Sequence, residues 1–133
     1  MYTPKDSVTT GAGARNWDLF NMKRIIRATA HALSGLKEAL VSEFAFQQEC
    51  FVFLISVIVA CIAEATPLER ALLIGSIILV LLVELLNTAL ETIIDRISPE
   101  HHPLSKKAKD LGSAAVLLAI LQAMIIWGFI FFT

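Results

Sequence analysis

The chain has 133 residues, a formal net charge of only −1, a hydrophobic content of 56% and a mean hydropathy of +0.71. A soluble domain of this size carries less apolar sequence, so the composition defines a membrane protein. The near-neutral charge and the lack of a basic stripe with interleaved aromatics argue against a nucleic-acid partner.

Residues 1–16 are rich in Thr, Gly, Ala and Ser without apolar periodicity, and read as a flexible tail. The glycines at Gly11 and Gly13 follow no strand, so they are not a phosphate loop. No basic start followed by an apolar core occurs in the first twenty residues, and a cleaved signal peptide is not expected. From 19 to 43, Leu19, Ile26, Leu33, Leu36 and Leu40 recur at helical spacing among Lys23, Arg24, Arg27 and Lys37. That pattern predicts an amphipathic helix lying on an anionic membrane surface.

Three apolar blocks follow. Phe51 to Ala63 is too short to cross a bilayer unless the span begins near Gln47 and tolerates Glu49. The predicted spans are about 47–66, 70–94 and 109–132, all within a single membrane-embedded domain, 17–133. Cys50 and Cys61 are eleven residues apart on one helical face and are expected to be packing residues. Ten of the eleven Lys and Arg residues precede the first span or lie between the second and third. The positive-inside tendency therefore places both regions and the N-terminus in the cytoplasm, with Arg70 alone outside.

The second span carries an unusual polar stripe. At about 100° per residue, Glu84, Glu91 and Asp95 fall within roughly 40° of one another, with Asn87 about 60° to one side. An ionisable side chain at membrane depth costs on the order of 2.5 kcal/mol or more, so such a stripe faces protein or water and marks a functional site. Three spans are too few to hide it on all sides, which predicts an oligomer, with Gly112, Ala114 and Ala115 allowing close approach. Around the cytoplasmic boundary the chain also collects Arg24, Glu43, Glu49, Glu100, His101, His102, Lys109 and Asp110. Carboxylates with a lysine suit a hard divalent cation and phosphate oxygens. No Walker-type phosphate loop, protein-kinase motif or G-x-S-x-G occurs. From the residues alone, the reading is a membrane-embedded oligomer with a metal or proton site at the cytosolic boundary.

The segments V-E-L-L-N-T-A-L-E-T-I-I-D-R (Val83 to Arg96) and A-K-D-L-G-S-A-A-V (Ala108 to Val116) resemble the two signature blocks of the prokaryotic diacylglycerol kinases. R-I-I-R-A (Arg24 to Ala28) and F-Q-Q-E (Phe46 to Glu49) are similar as well, and the resemblance runs from about Arg24 to Trp127. It implies an all-α inner-membrane homotrimer with three transmembrane helices and an N-terminal surface helix. Such an enzyme transfers the γ-phosphoryl group of MgATP to diacylglycerol. By the same resemblance Glu84 is the general base, Asn87 fixes the geometry beside it, and Glu43 and Glu91 hold Mg²⁺. Nucleotide contacts fall to Arg24, His31, Glu43, Glu91, Asp95, Glu100, His101, His102, Lys109 and Asp110. Lipid contacts fall to Arg24, Ala45, Phe46, Gln48, Glu49, Arg70, Glu84 and Ser113. The chain departs from the pattern at His31 and His101, where tyrosine is expected, at Leu33, where tryptophan is expected, and at Gln47, where a basic residue is common.

Two alternatives stand beside this reading. An undecaprenol kinase shares the architecture and differs in the lipid-facing groove. A proton- or ion-conducting oligomer would use Glu84 as a relay, but it needs neither the Lys109–Asp110 pair nor the His-bearing loop beside it.

Overall fold

The computed structural model describes residues 12–97 and 102–132, with side chains from residue 21 on. They form four helices: α1 (Ala12–Ser42), α2 (Phe44–Ile62), α3 (Pro67–Ile97) and α4 (Pro103–Phe132). Helix α1 begins seven residues before the expected start at Leu19, so Ala12 to Asn16 belong to it and not to a tail. The rest of the expected tail, residues 1–11, lies outside the described residues.

The chain divides into two compact units, residues 1–38 and 39–133. In the first, every described side chain from Asn21 to Glu38 is exposed, apolar and basic alike, including Ile25, Ile26, Leu33, Leu36, Lys23, Arg24 and Arg27.

The second unit is built around α3, which packs on α2 and α4. All three helices are long and apolar enough to cross a membrane. Leu73 is fully buried, and Val80 packs with Ala119 and Ala123 of α4, flanked by Ile77 and Val83. Small residues one turn apart let two helix backbones approach closely, which is how apolar helices associate where no hydrophobic driving force exists. Helix α2 adds Ser56 and Ala60 to the interior. Ile58, Ile62, Leu72, Leu86, Leu117, Leu118, Met124 and Phe129 face outward and are exposed. In water such an apolar surface is unstable, and in lipid it is the required one. Cys50 is half-buried but Cys61 is exposed, so of the two cysteines expected to be packing residues the second is not one within a single chain.

The helix limits differ from the predicted spans for local reasons. Helix α3 begins at Pro67, three residues before the predicted 70, because T-P-L-E forms a capping box. The Thr66 N–H donates to Glu69 Oε2 at 2.7 Å, the Glu69 N–H donates to Thr66 Oγ1 at 3.3 Å, and Pro67 takes the first helical position, where no N–H is needed. Helix α4 begins at Pro103, six residues before the predicted 109, with the Leu104 N–H donating to His102 Nδ1 at 3.2 Å. Helix α2 starts at Phe44, three residues before the predicted 47, after Glu43 breaks away from α1 in an extended conformation (φ −105°, ψ 108°). It ends at Ile62, where Arg70 covers its last turn. The Arg70 guanidinium donates to the carbonyls of Ala60 (2.9 Å), Ala63 and Ala65 (3.4 Å each). At 1.5 Å per residue α3 and α4 are each about 45 Å long, against about 28 Å for α2. A hydrocarbon core is about 30 Å thick. With Arg70 at one boundary, α3 and α4 project past the other, carrying the charged ends Glu91–Ile97 and Pro103–Asp110.

Candidate active site

Glu84 is the only charged side chain among the described residues that is fully buried, at 7% exposure. It lies about 21 Å along α3 from Arg70. A single chain already covers Glu84 itself. Along the same face Glu91 is half-buried and Asp95 exposed, so the stripe emerges from protein into solvent toward the helix end.

Three further carboxylates converge on Glu84. Glu43, at the break between α1 and α2, and Glu91, two turns along α3, both lie within electrostatic reach of it. Glu49 of α2 interacts with it in the same way. Glu49 is half-buried, and its Oε2 is buried without a hydrogen-bond partner. Like charges in a low-dielectric site are tolerated only when a proton or a cation is held among them. The extended residue at Glu43 contributes to this arrangement by setting its carboxylate at the start of a new helix, beside α3.

Asn87 links the cluster internally. Its Nδ2 donates to Glu91 Oε1 at 3.2 Å, which leaves the second Glu91 oxygen for a ligand. The donor set is wholly oxygen, as a hard divalent cation requires. Among the described residues no group of three or more His, Cys, Asp or Glu is placed to hold an ion by itself. Two carboxylates completed by phosphate oxygens and water is the arrangement that suits Mg²⁺, so the residues present fit that ion.

Farther along, α3 and α4 are tied by an ion pair, with Lys109 Nζ donating to Asp95 Oδ1 at 2.5 Å. Lys106 pairs with Asp110 at 2.6 Å along α4. Such exposed pairs add little stability, on the order of 0.5 kcal/mol, and their effect is positional. The Asp95–Lys109 pair fixes the charged ends of α3 and α4 to each other.

The remaining expected site residues are dispersed. Phe46 is buried, Ala45 and Gln48 are exposed, and Ser113 is exposed on α4. His102 caps α4 through Nδ1. Arg70 stands at the opposite end of α3 from the cluster, with its guanidinium engaged by the α2–α3 turn. Arg24 and His31 are exposed on α1 in the other unit, and Glu100 and His101 lie outside the described residues. Gly112, expected to allow close approach between copies, makes a close approach within one chain. A side chain there would collide with Asn87 Oδ1, so its missing Cβ serves the contact of α4 with α3 inside one chain. Ala114 and Ala115, also expected to allow close approach, are exposed.

Fold and site together define a polytopic helical membrane protein with one buried carboxylate, Glu84, and half-buried Glu43, Glu49 and Glu91 within electrostatic reach of it. The chain belongs to the prokaryotic diacylglycerol kinase family, whose model matches residues 30–131. It is 48% identical over 104 residues to the diacylglycerol kinase of Escherichia coli K12, covering 78% of this chain and 85% of that protein. It is 43% identical over 111 residues to the enzyme of Haemophilus influenzae, covering 84% of this chain and 94% of that one. With the Pseudomonas aeruginosa enzyme it shares 43% identity over 106 residues, 80% and 86% of the two chains.

Proposed function

We propose that this chain transfers the γ-phosphoryl group of ATP to the free hydroxyl of 1,2-diacylglycerol, giving phosphatidate and ADP. The observation that carries the reading, beside family membership, is a carboxylate buried at membrane depth in α3 with a solvent-facing acidic and basic cluster beyond it. A lipid alcohol approaches from the bilayer and a nucleotide from water, and Glu84 stands where the two meet.

Glu84 accepts the proton of the lipid hydroxyl as that oxygen attacks the γ-phosphorus and the bond to the ADP oxygen breaks. Phosphoryl transfer asks positioning, charge neutralisation and a base of the protein, and no covalent intermediate. Asn87 keeps the Glu91 carboxylate in place. Glu43 and Glu91 would hold Mg²⁺, which when bound would neutralise charge on the phosphate oxygens. Lys109, Asp110, Asp95, Glu100, His101, His102, Arg24 and His31 form the nucleotide side. Phe46, Ala45, Gln48, Glu49 and Ser113 form the lipid side, with Arg24 and Arg70 at its limits. The enzyme sits in the bacterial inner membrane as a homotrimer, its N-terminus and the α3–α4 connection in the cytoplasm. The basic residues support that orientation, and the solvent-facing part of the stripe supports an oligomer.

The test is a mixed-micelle assay of the purified protein with radiolabelled MgATP, offering diacylglycerol and undecaprenol side by side. Label appears in phosphatidate, and the reading fails if undecaprenol is the better acceptor or neither lipid is labelled. Removal of the divalent cation with a chelator abolishes the transfer.

A further inference from the structure

Gly112 is one turn inside the charged end of α4, and it stands against the one amide in the carboxylate cluster. A Cβ built on it would collide with Asn87 Oδ1, and would also meet Leu90 Cδ2 at 3.3 Å. Gly35, Gly75 and Gly128 have no such neighbour: a Cβ at each would meet nothing within 4 Å. The atom in the way is the far end of a side chain, not backbone, so an added methyl displaces the Asn87 amide and leaves the helix pair in place. Leu90 has only to give by a few tenths of an ångström.

Asn87 has little freedom to move without consequence. Its Oδ1 is buried with no hydrogen-bond partner and lies in the space that Gly112 leaves open, while its Nδ2 donates to Glu91 Oε1. A buried amide oxygen with no partner is costly and is retained where it does a job, here fixing which way the amide faces. We infer that Gly112 is a positioning residue for metal binding: by lacking a side chain it seats the Asn87 amide so that its N–H holds the Glu91 carboxylate in the orientation that takes the divalent cation. This rests on Glu91 being a metal ligand, as set out above. Groups that orient a metal ligand typically change metal affinity by 10–100-fold when lost.

The test is Mn²⁺ binding to the detergent-solubilised full chain with a non-hydrolysable ATP analogue, followed by electron paramagnetic resonance, with thermal unfolding alongside. Gly112→Ala weakens Mn²⁺ binding by about 10-fold, while its unfolding temperature stays near that of the unaltered chain. Asn87→Ala weakens binding to a similar degree, and adding Gly112→Ala to Asn87→Ala changes nothing further, because the residue that Gly112 seats is gone. Should Gly112→Ala unfold instead, Asn87→Ala in the same chain restores folding by removing the obstructing atom. The inference is overturned if Gly112→Ala binds Mn²⁺ normally while Asn87→Ala does not, if the two losses add, or if the double variant does not fold. If Asn87→Ala and Glu91→Ala both bind Mn²⁺ normally, the metal assignment itself is what fails.

Discussion

At the scale of single residues, chemistry and architecture make different demands on the few polar groups inside the bilayer. Glu84→Gln removes a proton acceptor and preserves shape, so the fold remains while turnover falls by at least about 100-fold, the usual contribution of general base catalysis. Comparing single-turnover rates with ATP binding separates this from a binding defect, and wild-type turnover would refute the role of Glu84. Arg70 has a different part. Its guanidinium satisfies three carbonyls where α2 ends and α3 begins. Arg70→Met takes this donor from the carbonyls of Ala60 and Ala65, while the Ala63 carbonyl keeps its bond from the Ala65 N–H, and destabilises the protein by about 2 kcal/mol, read as a lower unfolding temperature in detergent. The carboxylates of α3 were legible in the sequence because helical periodicity alone puts them on one face. Arg70's partners were not, since backbone carbonyls ten, seven and five residues upstream carry no sequence signature.

Among the helices, the number and order of spans followed from the lengths of the apolar blocks, and the limits did not. Hydropathy falls at Glu64 to Arg70 and again before Leu111, yet both stretches include a helix start. Thr66 with Pro67 and Glu69, and His102 with Pro103, are local start signals that an apolar window averages away. The break at Glu43 was invisible for the opposite reason, since no proline or glycine marks it. Thr66→Ala removes the cap that accepts the Glu69 N–H, costing about 1 kcal/mol, which appears as faster hydrogen exchange at the first turn of α3. Trp127 Nε1 donates to the Leu73 carbonyl at 3.3 Å, and that oxygen also accepts from Ser76 Oγ at 2.8 Å. Trp127→Phe keeps an aromatic ring beside Phe131 and loses the bond, so α4 loosens from α3 by about 1 kcal/mol. Unfolding in detergent measures that, and an unchanged midpoint would show that the helical backbone bond and the Ser76 hydroxyl satisfy the carbonyl without Trp127.

The unit formed by α2, α3 and α4 is polarised along the length of α3. One end of α3 is closed by the Thr66–Glu69 box and the Arg70 clamp, and its other end runs past the hydrocarbon layer with Asp95 paired to Lys109. In the sequence, ten of the eleven basic residues precede the first span or fall between the second and third, and the proposed orientation puts both stretches in the cytoplasm. A nucleotide-dependent site has to open there, because that is where ATP is, so orientation and chemistry stand or fall together. Glu64 in the α2–α3 turn and Lys107 on α4 are both exposed and mark the two ends. In a background with Cys50 and Cys61 replaced by serine, Glu64→Cys is labelled in intact cells by a maleimide that crosses the outer but not the inner membrane. Lys107→Cys is labelled only after the cells are opened. The reverse pattern would put the carboxylate cluster on the face that meets no ATP, and the kinase assignment would then have to yield to a protein that moves protons or ions.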